Sequence, residues 1–254
     1  MPRPAAIRVA LLTGLALTLF VSSGCVFWRL SRLRGQLAEF SRYVEVDAAP
    51  GPTIRFLEPV LRPGDIAWLL NLPPGEVTTD GDTTEHMWTL RKRTAMDPEP
   101  EAMTRIECRV VALENRITTV SLPERFNEVV DQEILEKSFA DSDQGAVDRK
   151  LYRTGWELNN TIGIPEEPEL RAVLGSPCSL TETSTHRVLE YAYDVLRDGT
   201  TPGEGRADST GQFTFSRTHG RLVLATVRFG IFTVRVISND GQDYRITLQR
   251  GGSK

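Results

Sequence analysis

Cysteine and histidine are both scarce in this chain of 254 residues, which contains three of each. Three cysteines are too few for a disulfide framework, and a single disulfide bond between Cys108 and Cys178 is left as an alternative to two free thiols. Alternation of apolar residues over 106–110 predicts that Cys108 is a buried strand residue. No histidine has a second ligand at the spacing of a zinc site. We therefore expect no metal and no cofactor. The three histidines are His86, His186 and His219.

An excess of basic charge is also missing, since 30 Lys and Arg residues face 34 Asp and Glu residues. Proteins that bind nucleic acid carry a basic stripe or patch, so we expect no nucleic-acid partner. The composition, 40% hydrophobic and 25% charged, is that of an ordinary globular protein. One basic cluster follows the N-terminal apolar segment and is expected to lie near lipid headgroups. Its members are Arg29, Arg32, Arg34 and Arg42.

The long apolar segment at residues 9–28 follows two arginines and includes Ser23-Gly24-Cys25. This pattern is typical of an export signal, and its end resembles a bacterial lipobox, in which Cys25 would carry the lipid. An uncleaved membrane-spanning helix of the same length and a cleaved, secreted product are the alternatives. We expect residues 1–24 to be a signal peptide or membrane anchor. The globular part is then periplasmic, at an inner or outer membrane that the sequence does not distinguish.

Residues 25–45 have the spacing of an amphipathic helix, with apolar residues three and four positions apart. The interpretation is a helical stalk between the anchor and the body. The apolar positions are Leu30, Leu33, Leu37 and Phe40.

The body is expected to be doubled, because residues 65–73 and 169–177 align without a gap. Each segment predicts a short helix that stops at a residue tolerant of positive φ, followed two positions later by proline. An aromatic strand comes about 14 residues further on in both copies. The helix-stop residues are Asn71 and Pro73 in the first copy and Gly175 and Pro177 in the second.

A hairpin follows in each copy, at residues 106–122 and 212–229. Asn115 and Gly220 are the residues that a tight turn with positive φ requires. The helix and turn signals are shifted by 104 and 105 positions, which predicts a first module at 46–145 and a second at 146–254. Matching the turns aligns Cys108 with Phe213, Val110 with Phe215 and Ile117 with Leu222.

These patterns predict an α+β fold, with an N-terminal membrane-anchor or signal helix followed by two tandem modules of helix on antiparallel sheet. A short helix ending in Gly-x-Pro, an aromatic strand and a Phe-x-Phe…Gly-Arg-Leu hairpin resemble the BamE (SmpA/OmlA) module. The β-lactamase inhibitor protein shares the fold of that module. The first copy departs from the pattern at Asn71 and Cys108. The resemblance implies protein binding rather than catalysis, and no binding residue is carried over from it.

No nucleophile elbow of the G-x-S-x-G type occurs in the sequence. The acidic residues around Glu169 are explained by the N-terminal end of a helix, where the dipole favours them. Two tryptophans are candidate interface residues: Trp68, which lies off the apolar stripe of its helix, and Trp156, in the segment between the copies.

We therefore expect a non-enzymatic, membrane-anchored envelope lipoprotein that binds or helps to assemble another envelope protein. One alternative is an inhibitor-like module that occludes an envelope or extracellular enzyme. The other is an uncharacterised hydrolase, since catalytic side chains need only meet in space.

Overall fold

A computed structural model describes residues 26, 28–128, 130, 132–139, 146–148, 153–158, 165–197, 203, 205–230, 232–238 and 244–250. The apolar run up to residue 25, with Cys25, lies outside these residues, as does the expected end of the first module at residue 145. None of the helices within them is long and apolar enough to cross a membrane.

One antiparallel sheet dominates the described chain. Its strands are β1 Val44–Asp47, β2 Thr53–Phe56, β3 Glu76–Asp80, β4 Thr83–Lys92, β5 Arg105–Leu113, β6 Arg116–Ser121, β7 Ala146–Asp148, β8 Arg153–Leu158, β9 Ser179–Glu182, β10 His186–Val195, β11 Ser209–Ser216, β12 Leu222–Phe229, β13 Phe232–Ile237 and β14 Tyr244–Arg250. Twelve strands follow the order β1-β2-β6-β5-β4-β10-β11-β12-β13-β14-β8-β7, and β3 and β9 pair beside this path with β4 and β10.

The helices are short. They are α1 at residues 28–38, α2 Phe40–Tyr43, α3 Pro63–Leu70, α4 Glu101–Thr104, a 3₁₀ helix Glu124–Glu128, α5 Gln132–Phe139 and α6 Glu167–Leu174. Proline in the first turn and an acidic residue at the third helical position begin both α3 and α6. Asp65 accepts the backbone N–H of Arg62 at 2.9 Å, and Glu169 accepts that of Glu166 at 2.8 Å.

The expectation of an α+β fold with two separate modules is wrong, and the anchor or signal helix expected at residues 1–24 lies outside the described residues. A single apolar cluster contains buried residues from both halves, including Trp88 and Val110 from one and Leu189 and Phe215 from the other. The halves merge because β4 and β10 pair edge to edge, which satisfies backbone groups that separate modules would leave at sheet edges. The long antiparallel sheet therefore carries the fold, and the short helices only cover parts of it.

The two halves nevertheless repeat the same order of elements around β4 and β10. Each half contains a hairpin (β1–β2 or β7–β8), a helix (α3 or α6), a second hairpin (β3–β4 or β9–β10) and two further strands; the second half adds β13 and β14. Lys92 pairs with Tyr193, Leu90 with Val195, and Arg91 with Asp194 between them. The register is thus symmetric about the Arg91–Asp194 pair.

Trp88 and Tyr191 occupy equivalent positions under this symmetry and are both almost fully buried. The Trp88 indole Nε1–H donates to the Leu72 carbonyl at 3.2 Å, and the Tyr191 hydroxyl donates to the Gly175 carbonyl at 3.1 Å. Each aromatic ring therefore fixes the C-terminal end of its own half's helix against the sheet.

The alignment of the two hairpins shifts by two residues in the structure. Trp88 lies opposite Cys108 and Tyr191 lies opposite Gly211, so Cys108 corresponds to Gly211 rather than to Phe213. The cause is turn length: Ala112 pairs with Ile117 in the first hairpin, whereas Phe215 pairs with Leu222 in the second, which has two more residues. Inward positions stay inward because the shift is an even number.

Glycine at position 211 makes room for an aromatic contact. A Cβ there would lie 2.8 Å from the ring of Phe213, a distance that real Cβ atoms do not tolerate. The rings of Tyr191 and Phe213 instead meet edge to face, with centroids 5.9 Å apart.

Candidate functional site

The predicted turn and cap residues lie at backbone positions with positive φ. Asn71 caps α3 in the left-handed conformation, and Gly175 follows α6 with φ of 74°. Asn115, at φ of 60°, forms the two-residue turn between β5 and β6, and Gly220 has φ of 73° between β11 and β12. Of the two helix-stop prolines, Pro177 is fully buried, and Pro73 is exposed.

The candidate interface tryptophans differ in what the structure describes. Trp68 lies on α3 with 39% of its surface exposed. Trp156 lies on β8, where its backbone pairs with Ile246, and its side chain is outside the described residues. The lipidation candidate, Cys25, is outside them as well.

The histidines do not meet a common partner in the part of the chain that the structure describes. His86 stacks on Trp88 with ring centroids 6.2 Å apart, and burial lowers its pKa. His186 Nδ1 lies 2.8 Å from the Thr185 hydroxyl, and His219 Nδ1 accepts the backbone N–H of Arg221. Within the same ranges, no group of three His, Cys, Asp or Glu side chains is placed to hold a metal ion.

Cys108 and Cys178 are both free thiols in the structure. Burial raises the pKa of the Cys108 thiol from 9.0 to about 11. Burial also raises the pKa of Cys178, whose sulfur lies 3.8 Å from the Arg93 carbonyl and 3.9 Å from that of Ala192. Both groups are thus held as neutral thiols, which are poor nucleophiles.

The strand β3 is the most exposed regular element of the described chain. All five of its residues, Glu76 to Asp80, are exposed, and Val77 exposes 53% of its surface. Among the described strands, β3 pairs with β4 alone, so its second edge presents backbone N–H and C=O groups. We call this feature the β3 edge. The β3 edge has little sequence signal, because Glu-Val-Thr-Thr-Asp has a single apolar residue and therefore no alternating pattern. The only signal is the preceding Pro73-Pro74-Gly75 break.

A second exposed feature is the loop at residues 93–100, which we call the Met96 loop. Met96 exposes 52% of its surface, whereas the residues that hold the loop are buried. The Lys92 ammonium, with its side chain 0% exposed, lies 2.7 Å and 2.8 Å from the Glu99 carboxylate oxygens. This buried ion pair joins the two ends of the loop.

The Met96 loop also reaches across to the second half of the sheet. The Ser176 backbone N–H donates to Glu99 at 2.9 Å, and the Ser176 hydroxyl donates to Asp97 at 3.0 Å. The backbone N–H of Met96 donates to the Pro177 carbonyl at 2.8 Å. The loop is therefore preorganised by contacts on both sides of its exposed methionine.

The first helix is joined to α3 by a buried ion pair that the sequence pattern does not predict. The Arg29 guanidinium donates to both oxygens of Asp65, at 2.6 Å and 2.5 Å, and both side chains are less than a tenth exposed. Arg29 was expected to lie near lipid headgroups with its neighbours. Its partner Asp65 is 36 positions away at the start of α3, where capping of the helix already accounts for an acidic residue. No local sequence pattern therefore links the two.

Comparison of the chain with protein-family models, with curated proteins and with solved structures found no match in any of the three. The resemblance to the BamE module and to the β-lactamase inhibitor protein therefore remains a prediction from a few motif residues.

Proposed function

We propose that this chain is a lipoprotein of the bacterial cell envelope, attached to the membrane at Cys25, that binds another envelope protein and catalyses no reaction. The observation that carries the binding function is the β3 edge, since an exposed strand edge accepts an extended segment of a partner by backbone hydrogen bonding. The sequence pattern before Cys25 supports the attachment.

The charges of the β3 edge favour a different protein over a second copy. Two copies of β3 paired antiparallel and in register would bring Glu76 of one opposite Asp80 of the other, and like charges directly opposite destabilise a strand pair. A partner strand with Lys or Arg at its ends would instead form two favourable cross-strand pairs. The proposed ligand is therefore an extended, basic-flanked segment of an envelope protein.

Site-specific photo-crosslinking in intact cells tests the proposed edge. A photoreactive residue at Val77 is expected to give one discrete adduct, which Thr79→Lys in the same chain should abolish because a lysine disfavours strand addition. The same probe at Glu107, which is exposed on β5 between β4 and β6 and so not at an edge, is the control. Equal adducts at both positions would contradict binding through the β3 edge.

The attachment is tested separately by mass spectrometry of the mature protein from the membrane fraction. A chain that begins at Cys25 with added acyl mass, and a Cys25→Ser variant without that mass, are expected. An intact chain beginning at Met1 in both would overturn the lipoprotein proposal.

The Met96 loop favours a second candidate function, occlusion of an enzyme by an inhibitor-like module. An exposed side chain on a loop that is already fixed loses little conformational entropy when it enters a pocket. A photoreactive residue at Met96 would then capture an enzyme that is inactive in the complex. Met96→Asp, which places a charge at the same exposed position, should release the enzyme in active form.

A further inference from the structure

Two exposed tryptophans lie on the helices that the Arg29–Asp65 ion pair joins. Trp28, 60% exposed, directly precedes Arg29, and Trp68, 39% exposed, lies one turn after Asp65. The Arg32 guanidinium lies 5.7 Å from the centre of the Trp28 ring and 3.6 Å from the Glu58 carboxylate, and both charged side chains are about half exposed. We call these three residues, Trp28, Arg32 and Trp68, the tryptophan face.

Helix α1 lies against the body of the protein. Leu30 and Leu33 pack on the apolar cluster, and Phe40, in α2, is 3% exposed. The Gln36 side-chain amide donates to the Glu58 carbonyl at 2.9 Å, which adds a second polar contact beyond the ion pair. The region expected to be a stalk is thus held along its length.

Trp28 follows Cys25 by three positions, and three residues of extended chain span at most about 10 Å. If the chain is attached at Cys25, the first turn of α1 must lie at the lipid surface. Tryptophan is enriched at the headgroup level of membranes because its ring is apolar and its N–H is polar. Arginine near such a surface is attracted to anionic lipid.

We propose that the tryptophan face rests in the headgroup layer of an anionic lipid bilayer, so that the body lies on the membrane. This inference rests on the proposed attachment at Cys25, and it assigns Trp68 to lipid rather than to a protein interface. It predicts that Trp28 and Trp68 contact acyl chains close to the headgroups.

The test uses the full-length lipidated chain in vesicles of phosphatidylcholine and phosphatidylglycerol that carry bromine on the upper acyl carbons. Flotation on a density gradient reports attachment, and quenching of tryptophan fluorescence by bromine reports contact with lipid. Two of the four tryptophans belong to the proposed face, so about half of the fluorescence should be quenched. Trp88, 2% exposed in the core, supplies an internal unquenched signal.

The matched variants are Trp28→Phe, Trp68→Phe and the double variant. Each single change should remove about half of the quenching, because each removes one of the two lipid-facing rings. The double variant should lose nearly all of it and still float. Because phenylalanine keeps an aromatic ring at both positions, all three variants are expected to stay folded, which thermal unfolding checks.

The possible outcomes separate this inference from the function on which it rests. A wild-type chain that does not float overturns both. A chain that floats without quenching, or with quenching that persists in the double variant, overturns the membrane-facing surface and leaves the attachment standing. Loss of quenching only in Trp28→Phe would also overturn the proposed face, since Trp68 would then face away from lipid.

Discussion

The buried Lys92–Glu99 pair offers a direct test of how the Met96 loop is held. Lys92→Met removes the charge partner of the Glu99 carboxylate, which is 7% exposed. Two of the three hydrogen bonds to Glu99 described above are lost, and the one from the Ser176 backbone N–H remains. Removing one member of a buried pair leaves an uncompensated charge and costs about 3–5 kcal/mol. We expect this loss in the free energy of unfolding.

The double variant Lys92→Met/Glu99→Gln should recover part of that loss. A glutamine at position 99 is neutral and still accepts the Ser176 N–H through its amide oxygen. The double variant should therefore be more stable than Lys92→Met alone by about 1–3 kcal/mol. Urea denaturation of the full-length chain in detergent, followed by circular dichroism, measures all four corners of this double-mutant cycle.

The pair Arg55–Asp47 is a matched control, because the two side chains are each 51% exposed and lie 2.7 Å apart. Exposed pairs contribute about 0–1 kcal/mol, so Arg55→Met and Asp47→Asn should show little coupling. If the losses for Lys92→Met and Glu99→Gln simply add in the double variant, as expected for the control pair, the buried pair does not act as a unit.

Three further predictions concern the body of the protein, and urea denaturation measures each. Gly220→Ala should cost about 1–2 kcal/mol, since the residue has positive φ but open space around it. Gly230→Ala should cost clearly more, because this residue has φ of 57° and an added Cβ would also overlap the Leu70 carbonyl oxygen. Equal losses would contradict that close approach. Tyr191→Phe should cost about 1–2 kcal/mol through the lost bond to the Gly175 carbonyl, and no loss would mean that water replaces it. Burial raises the pKa of Cys108 from 9.0 to about 11. The contribution of this group to the free energy of unfolding is therefore fully present below pH 9.0 and is lost as the pH rises to about 11. The contribution is about 2–3 kcal/mol, and Cys108→Ala should flatten the stability profile over that range; an unchanged slope would contradict it.

Local backbone features of this chain are visible in its sequence, whereas pairings between distant segments are not. Asn71 and Asn115 have positive φ for reasons that two or three neighbouring residues reveal. The pairing of β4 with β10 joins residues about 100 positions apart and involves only three residue pairs, so no periodicity in the sequence predicts it. Two modules were expected for this reason, where the structure has one sheet.

The candidate sites follow the same division. The exposure of Trp68 could be expected from its place outside the apolar stripe of α3. The β3 edge depends on which strands lie beside it, and the Arg29–Asp65 and Lys92–Glu99 pairs join residues whose local sequence suggests surface positions. Their burial depends on how the whole sheet packs, and the sequence of either segment alone does not indicate it.

The short ladder between β4 and β10 has a consequence for synthesis of the chain. Lys92 is synthesised 101 positions ahead of its partner Tyr193, a delay of about 5–20 s at a synthesis rate of about 5–20 residues per second. During that interval the backbone of Leu90 to Lys92 lacks its β10 partner strand. A second incomplete copy would offer the same open edge, which is the arrangement from which halves exchange between copies.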